Sequence, residues 1–280
     1  MKVLLLARFT FREARRKRTV LGVLLLSALF LALYTFGFSS LRNNYESRLA
    51  TGARSPLDFE VFASVLVLLG FYTVNFLGGI MAIFASVGSI ASEIDAGTLH
   101  AVVPKPVRRW QVLLGKWVGY AAMLASYSVL MCLAVLLIGR TIGNYTPSHW
   151  AAGTGLVALV SLMLLSVTMF GSTFLSAMTN GIVVFMLYGV ALMGGVVEQV
   201  GSFLHNDTLT RIGIGTSLVL PSEAAWRLAS STLQPAFDLP VTPLPFASSS
   251  TPSAAMIGYA LVYSVAAVVL AIVVFERRDL

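Results

Sequence analysis

Thr141 to Val197 reads TIGNYTPSHWAAGTGLVALVSLMLLSVTMFGSTFLSAMTNGIVVFMLYGVALMGGVV, 57 residues without one Asp, Glu, Lys or Arg. A helix rises 1.5 Å per residue, so roughly 20 apolar residues cross the ~30 Å hydrocarbon core of a bilayer. The stretch is too long for one crossing and suits two. Asn180-Gly181 is a turn dipeptide, so Thr179-Asn180-Gly181 is the expected break, with spans over 150–177 and 181–197.

Working outward, the same length criterion gives further spans over 19–38, 61–92, 117–138 and 254–275. The second is longer than a crossing needs and is expected to tilt or project. Of the 280 residues, 57% are hydrophobic and only 11% charged, and mean hydropathy is +0.85. A soluble domain carries about 25% charged residues. The excess apolar surface needs lipid, so the fold class is an all-α integral membrane protein of six transmembrane helices, read as one transmembrane domain over 1–280.

Six spans put both termini on one side. Lys2, Arg8, Arg12, Arg15, Arg16, Lys17 and Arg18 precede the first span. Lys105, Arg108, Arg109 and Lys116 lie between the second and third, and Arg277 and Arg278 follow the last. These are 13 of the 19 basic residues, so the positive-inside rule places both termini in the cytoplasm, in a bacterial inner membrane. The net charge of +7 is therefore an orientation signal and not a nucleic-acid footprint. Residues 1–18, MKVLLLARFTFREARRKR, suit an amphipathic interfacial helix, Leu and Phe entering the headgroup boundary and Arg8, Arg12, Arg15, Arg16, Lys17 and Arg18 meeting anionic phosphates. The same composition suits an ordinary positive-inside flank. The basic stretch is long and no small-residue cleavage site follows the first apolar run, so a cleavable signal is not expected.

The longest loop, 198–253, is expected outside. In it Pro221-Ser222-Glu223-Ala224-Ala225-Trp226-Arg227 reads as a helix start, Ser222 capping and Glu223 in the first turn. Five later prolines keep the chain extended.

Several chemistries find no support. The P-loop pattern G-x-x-x-x-G-K-[ST] does not occur, since Gly115-Lys116 is followed by Trp117. His100, His149 and His205 fall in three separate loops, which disfavours a shared metal site, and there is no Cys-x-x-Cys. Cys132 has no partner cysteine in the chain and reads as a small apolar filler. Gly215-Thr216-Ser217-Leu218 lacks the second glycine of a nucleophile elbow. No span carries a charge at its middle, where ion-coupled transporters place one. Gly70, Gly78, Gly79, Gly88, Gly189, Gly194 and Gly195 read as close-packing positions.

Between spans two and three, Ile90 to Lys116 reads IASEIDAGTLHAVVPKPVRRWQVLLGK. A carboxylate-bearing helix end meets a glycine break at Gly97, a short apolar segment, the stop Pro104-x-Pro106, a basic pair, and then the next span. This makes a compact turn-helix-turn at the membrane surface, although a plain positive-inside connector has the same composition. The order of residues resembles the cytoplasmic loop of permease subunits of ATP-binding-cassette type-2 (ABC-2) transporters, on Glu93, Gly97-Thr98-Leu99, Pro106, Arg109 and Gly115-Lys116. Ser176–Gly181, the Pro-Ser-Glu-Ala-Ala-Trp-Arg segment and the Arg277-Arg278-Asp279 ending extend it. Ile94 departs, standing where many relatives carry a charge.

That resemblance implies an exporter permease with no catalysis and no cofactor of its own. ATP and Mg would belong to separate P-loop ATPase subunits, two copies docked beneath a permease homodimer or heterodimer. A cytoplasmic coupling helix within 93–116 would meet them through Glu93, Asp95, Gly97, Thr98, Leu99, Lys105, Pro106, Arg108 and Arg109. Two rivals compete: a polytopic scaffold without a transport path, and an intramembrane enzyme, which the lack of a reactive cluster disfavours.

Overall fold

The computed structural model describes residues 2–51, 59–92, 108–234 and 255–278. Among these every regular element is a helix: α1 (Lys2–Ala14), α2 (Arg18–Ala50), α3 (Phe59–Ser86), α4 (Arg109–Gly143), α5 (Trp150–Gly171), α6 (Ala177–Phe203), α7 (Asp207–Val219), α8 (Ser222–Leu233) and α9 (Ala255–Arg277). Six of them, α2 to α6 and α9, are long and apolar enough to cross a membrane. The fold is an all-α membrane protein. The coupling helix expected within 93–116 falls mostly on 93–107, outside the described residues.

The spans run up and down between a face that carries both termini, called here the terminal face, and an opposite face. The middle of the bundle is α3 and α5, in whose most apolar windows 67% of residues are buried. Of the equivalent windows of α2 and α9, only 22% and 28% are buried. The outer helices therefore present Leu25, Leu33, Phe36, Val262 and Val265 outward, as a lipid-covered surface requires. At the centre, close approach replaces bulk. Gly78 on α3 meets α5 so tightly that a β-carbon there would lie 2.7 Å from Ser161 Oγ. A β-carbon on Gly79 would enter the ring of Tyr188, whereas Gly189 has open space around it.

Three helices, α2, α4 and α6, outrun the sequence expectation, and α3 stops at Ser86, short of the expected 92. The first span, expected over 19–38, is the front part of α2. At 33 residues α2 is about 50 Å long, and its last turns carry the Arg42–Glu46 pair, 2.9 Å apart. Arg42 also donates to the carbonyl of Ile142 at the end of α4, which ties both projecting ends together. The third span, expected from Trp117, begins eight residues earlier. The Gln111 side chain accepts the Arg108 backbone N–H at 3.3 Å, and Asn144, left-handed at φ 53°, closes the far end.

The break inside the uncharged stretch is not at Asn180-Gly181. Helix α5 stops at Gly171, and α6 restarts at Ala177 after Ser176 accepts the Thr179 N–H at 3.4 Å. Asn180 sits in the first turn of α6, fully buried. Its side-chain nitrogen donates to Thr168 O at 2.9 Å and Val87 O at 3.3 Å. Those two carbonyls lie in the last turn of α5 and just beyond α3; Thr168 O also accepts the Ser172 N–H at 2.9 Å, so the asparagine is its second donor. The asparagine seals two helix ends, and no turn is made.

The segment expected as an external loop from residue 198 begins as helix. α6 runs on through Glu198 to Phe203, His205 turns the chain at φ 53°, and α7 folds back along α6 with Asn206 as its cap, accepting the Thr208 and Leu209 N–H groups. Gly201 and Gly213 permit this approach, a β-carbon on Gly213 meeting Glu198 and, at 2.8 Å, Gly194 O. Helix α8 then returns against α5. Its cap is Pro221, so Ser222 is the first helical residue and not the cap. Tyr259 and Tyr263 of α9 donate to Leu218 O at 2.7 Å and Val219 O at 2.9 Å, satisfying the end of α7.

Candidate coupling site

The terminal face is held by basic side chains donating to the carbonyls that helix ends leave over. Lys17, between α1 and α2, donates to Tyr120 OH at 2.6 Å and Ala85 O at 3.2 Å, and its ammonium lies 5.1 Å from the Tyr120 ring centre. Lys116 on α4 donates to Ser89 O. Arg109 donates to Arg278 O at 2.7 Å, with Glu276 O at 3.5 Å, and Arg278 donates to Thr173 O at 2.6 Å. Ser172 Oγ accepts from the Ile90 and Ala91 N–H groups at 3.2 and 3.1 Å. The described chain stops at Ser92 and resumes at Arg108.

Of the residues expected to couple, Glu93, Asp95, Gly97, Thr98, Leu99, Lys105 and Pro106 lie outside the described residues. Arg108 is exposed at the start of α4. Arg109 is half-buried, and its bonds to the end of α9 make it an anchor of the rim.

Helix α1 packs across α4 where α4 offers no side chain. A β-carbon on Gly115 would lie 2.6 Å from Leu6 Cβ, and one on Gly119 would lie 2.7 Å from Ala7 O. The sequence reading used Gly115 only as part of a motif. Ala7, Thr10 and Ala14 form the buried side of α1, while Leu4, Leu5 and Phe9 are exposed beside Arg8 and Arg12. A groove of about 560 Å³ runs between α1 and α4, bounded by Leu5, Arg8, Phe11 and Val118. Arg12, Glu13, Arg15 and Arg16 bound a cleft of about 690 Å³ at the end of α1. Arg8, Arg12, Arg15, Arg16 and Arg18 are exposed. Lys17 differs, since its ammonium is turned inward to Tyr120 and Ala85 instead of outward toward a phosphate.

Sequence reasoning missed one constellation. Glu198 of α6 and Arg227 of α8, both assigned to an external loop, form a buried ion pair through Glu198 Oε1 and Arg227 Nη1. Glu223, expected as an ordinary first-turn acid, is buried beside them. Burial pushes its carboxyl up to about 8; Arg227 opposes the rise and Glu198 adds to it. The available signal was the i, i+4 spacing of Glu223 and Arg227 on a segment whose other residues are mostly apolar or small. No group of three His, Cys, Asp or Glu able to hold a metal occurs among the described residues.

Six spanning helices, a terminal face closed by basic side chains and a cationic surface helix define a polytopic membrane protein. A family model described as ABC-2 family transporter protein matches residues 4–280, and the chain belongs to that family. It is accordingly the membrane-spanning permease subunit of an ABC transporter, a class that associates with an ABC ATPase subunit. A comparison with curated proteins returns no match.

Proposed function

We propose that this permease works as a dimer, with a second copy or a related chain, in the bacterial inner membrane with both termini cytoplasmic. Two P-loop ATPase subunits dock on the terminal face and bind the ATP and Mg that the permease itself does not. The observation that carries this reading is the family match over 4–280, supported by the basic character of the terminal face. The docking element is the 93–107 segment with Arg108. Arg109 holds its far end to α9, so a push on the segment is passed to α4 and α9 together, as a rigid-body motion of packed helices. The exposed arginines of α1 rest on the inner leaflet. Export is the direction that the resemblance of the 90–116 segment favours.

The experiment is reconstitution with the ATPase. Gly97→Pro or Leu99→Asp abolishes the permease's stimulation of ATP hydrolysis while the chain still elutes as a folded species. Full stimulation and transport in both variants would place coupling elsewhere.

A further inference from the structure

Among the described residues, one group of ionisable side chains has no part in docking an ATPase. Glu198, Glu223 and Arg227 are 7%, 8% and 5% exposed, and they sit where α8 leans on α6. Arg227 is committed to Glu198 through Nη1 and to Ser217 Oγ of α7 through Nη2 at 3.3 Å. Glu223 lies against Gly195 of α6, where a β-carbon would run into its carboxylate end. Two carboxylates thus share one guanidinium, and Glu198 holds the ion-paired position.

The groups facing Glu223 are few. Helix α8 brings Arg227 and Ser222, α6 brings Glu198 and Tyr188, and α3 brings Tyr72; from α7 comes only the hydroxyl of Ser217 on the Arg227 side. No second cation stands among them. Glu198 Oε2, Glu223 Oε2, Ser222 Oγ, Tyr188 OH and Arg227 Nε are buried without a hydrogen-bond partner. Three full charges here would leave a net negative charge in an apolar interface, and an uncompensated buried charge is neutralised by taking up a proton before it is tolerated. A carboxyl group that takes the proton also gains an O–H donor in a cluster where one oxygen of each carboxylate is unpaired.

We propose that Glu223 binds a proton and that this proton latches the α7–α8 hairpin onto α6: protonated, the cluster is an electroneutral Arg227–Glu198 pair plus a neutral acid; deprotonated, it repels and α8 loosens. The raised carboxyl of Glu223 agrees with this placing of the proton. The latch lies on the opposite face from the coupling site and does not depend on how the ATPase docks.

The test uses the full chain in nanodiscs. Infrared spectra of the wild type at pH 6.5 contain a protonated-carboxyl carbonyl band that disappears by pH 9. Its absence at pH 6.5 would overturn the proton site without any variant being made. For the latch, Cys132→Ser removes the native thiol and Ser230→Cys places a reporter on the buried side of α8, where Ser230 is 0% exposed. Its maleimide labelling rate is divided at each pH by the rate for the same reporter in Glu223→Gln, which cancels the reporter's own thiolate chemistry. The ratio rises with pH, by about tenfold per unit while pH is still below the midpoint of the latched carboxyl, and levels off above that midpoint, as one linked proton requires. A ratio that stays flat from pH 6 to 9, with the infrared band present, would refute the latch.

Discussion

Replacing Arg227 by Met keeps the length of the side chain and removes its charge, in a buried polar cluster between α6 and α8. Arg227 is 5% exposed, and its guanidinium is bonded to Glu198 and Ser217. Removing one partner of a buried ion pair costs about 3–5 kcal/mol, because the other charge is left without compensation. At roughly 2–4 °C per kcal/mol for a chain of this general size, the midpoint falls by about 6–20 °C. Glu198→Gln costs less, since Glu223 remains beside Arg227 and can ionise to replace the lost partner. Glu198→Gln combined with Arg227→Met recovers more than half of the loss, leaving an apolar stem beside a neutral amide. The assay is the fraction of monodisperse protein surviving a temperature series in detergent, for all three variants and the wild type. Additive losses in the double variant, or a shift under about 3 °C for Arg227→Met, would refute the assignment of this pair as a structural contact of α8 with α6.

Other expectations concern separate parts of the fold. Because the folded carboxyl of Glu223 is raised to about 8 from 4.5, the native chain holds a proton between those values that the unfolded chain releases. That stability is full below about pH 4.5 and is lost as pH rises toward 8; Glu223→Gln flattens the slope, as midpoints across that range will show. Gly119→Leu puts a side chain against Ala7 O and Thr10, an overpacking worth about 1–3 kcal/mol. It lifts α1 from α4, and trypsin then cuts at Arg8 and Arg12 faster than in the wild type. Asn180→Leu removes the side-chain donor to Thr168 O and Val87 O; Thr168 O keeps the Ser172 N–H at 2.9 Å, and the loss of both bonds costs about 1–3 kcal/mol in all. It lowers the thermal midpoint, whereas a true turn asparagine would tolerate the change.

What was legible in sequence was what hydrocarbon imposes. Continuous apolar length decided the number of spanning helices, and the grouping of Lys and Arg beside those runs singled out one face. The misreadings arose where a residue's partner lies far along the chain. Asn180-Gly181 is a turn pair locally, yet the asparagine stands in the first turn of a helix, where its side chain donates to the carbonyls of Val87 and Thr168. Lys17 belongs by neighbourhood to a cationic surface segment, but Tyr120, 103 positions away, draws it inward. Glu198 and Arg227 read as loop charges because Glu198 ends an apolar run and Arg227 lies in the long segment that follows it, and only the folding back of α7 and α8 brings them together. Helix ends were misjudged for the same reason: Arg109 to Lys116 are polar enough for a loop, but packing on α1 through Gly115 extends α4 through them.

The central claim, that the terminal face of this permease docks a separate ATPase through the 93–107 segment, is tested most directly by purification in mild detergent with ATP, followed by mass spectrometry of what accompanies the chain. A P-loop ATPase in about equal amount, lost from Leu99→Asp while the variant remains folded, is the predicted result. Recovery of the chain alone under those conditions, or of an ATPase that Leu99→Asp retains undiminished, would contradict it.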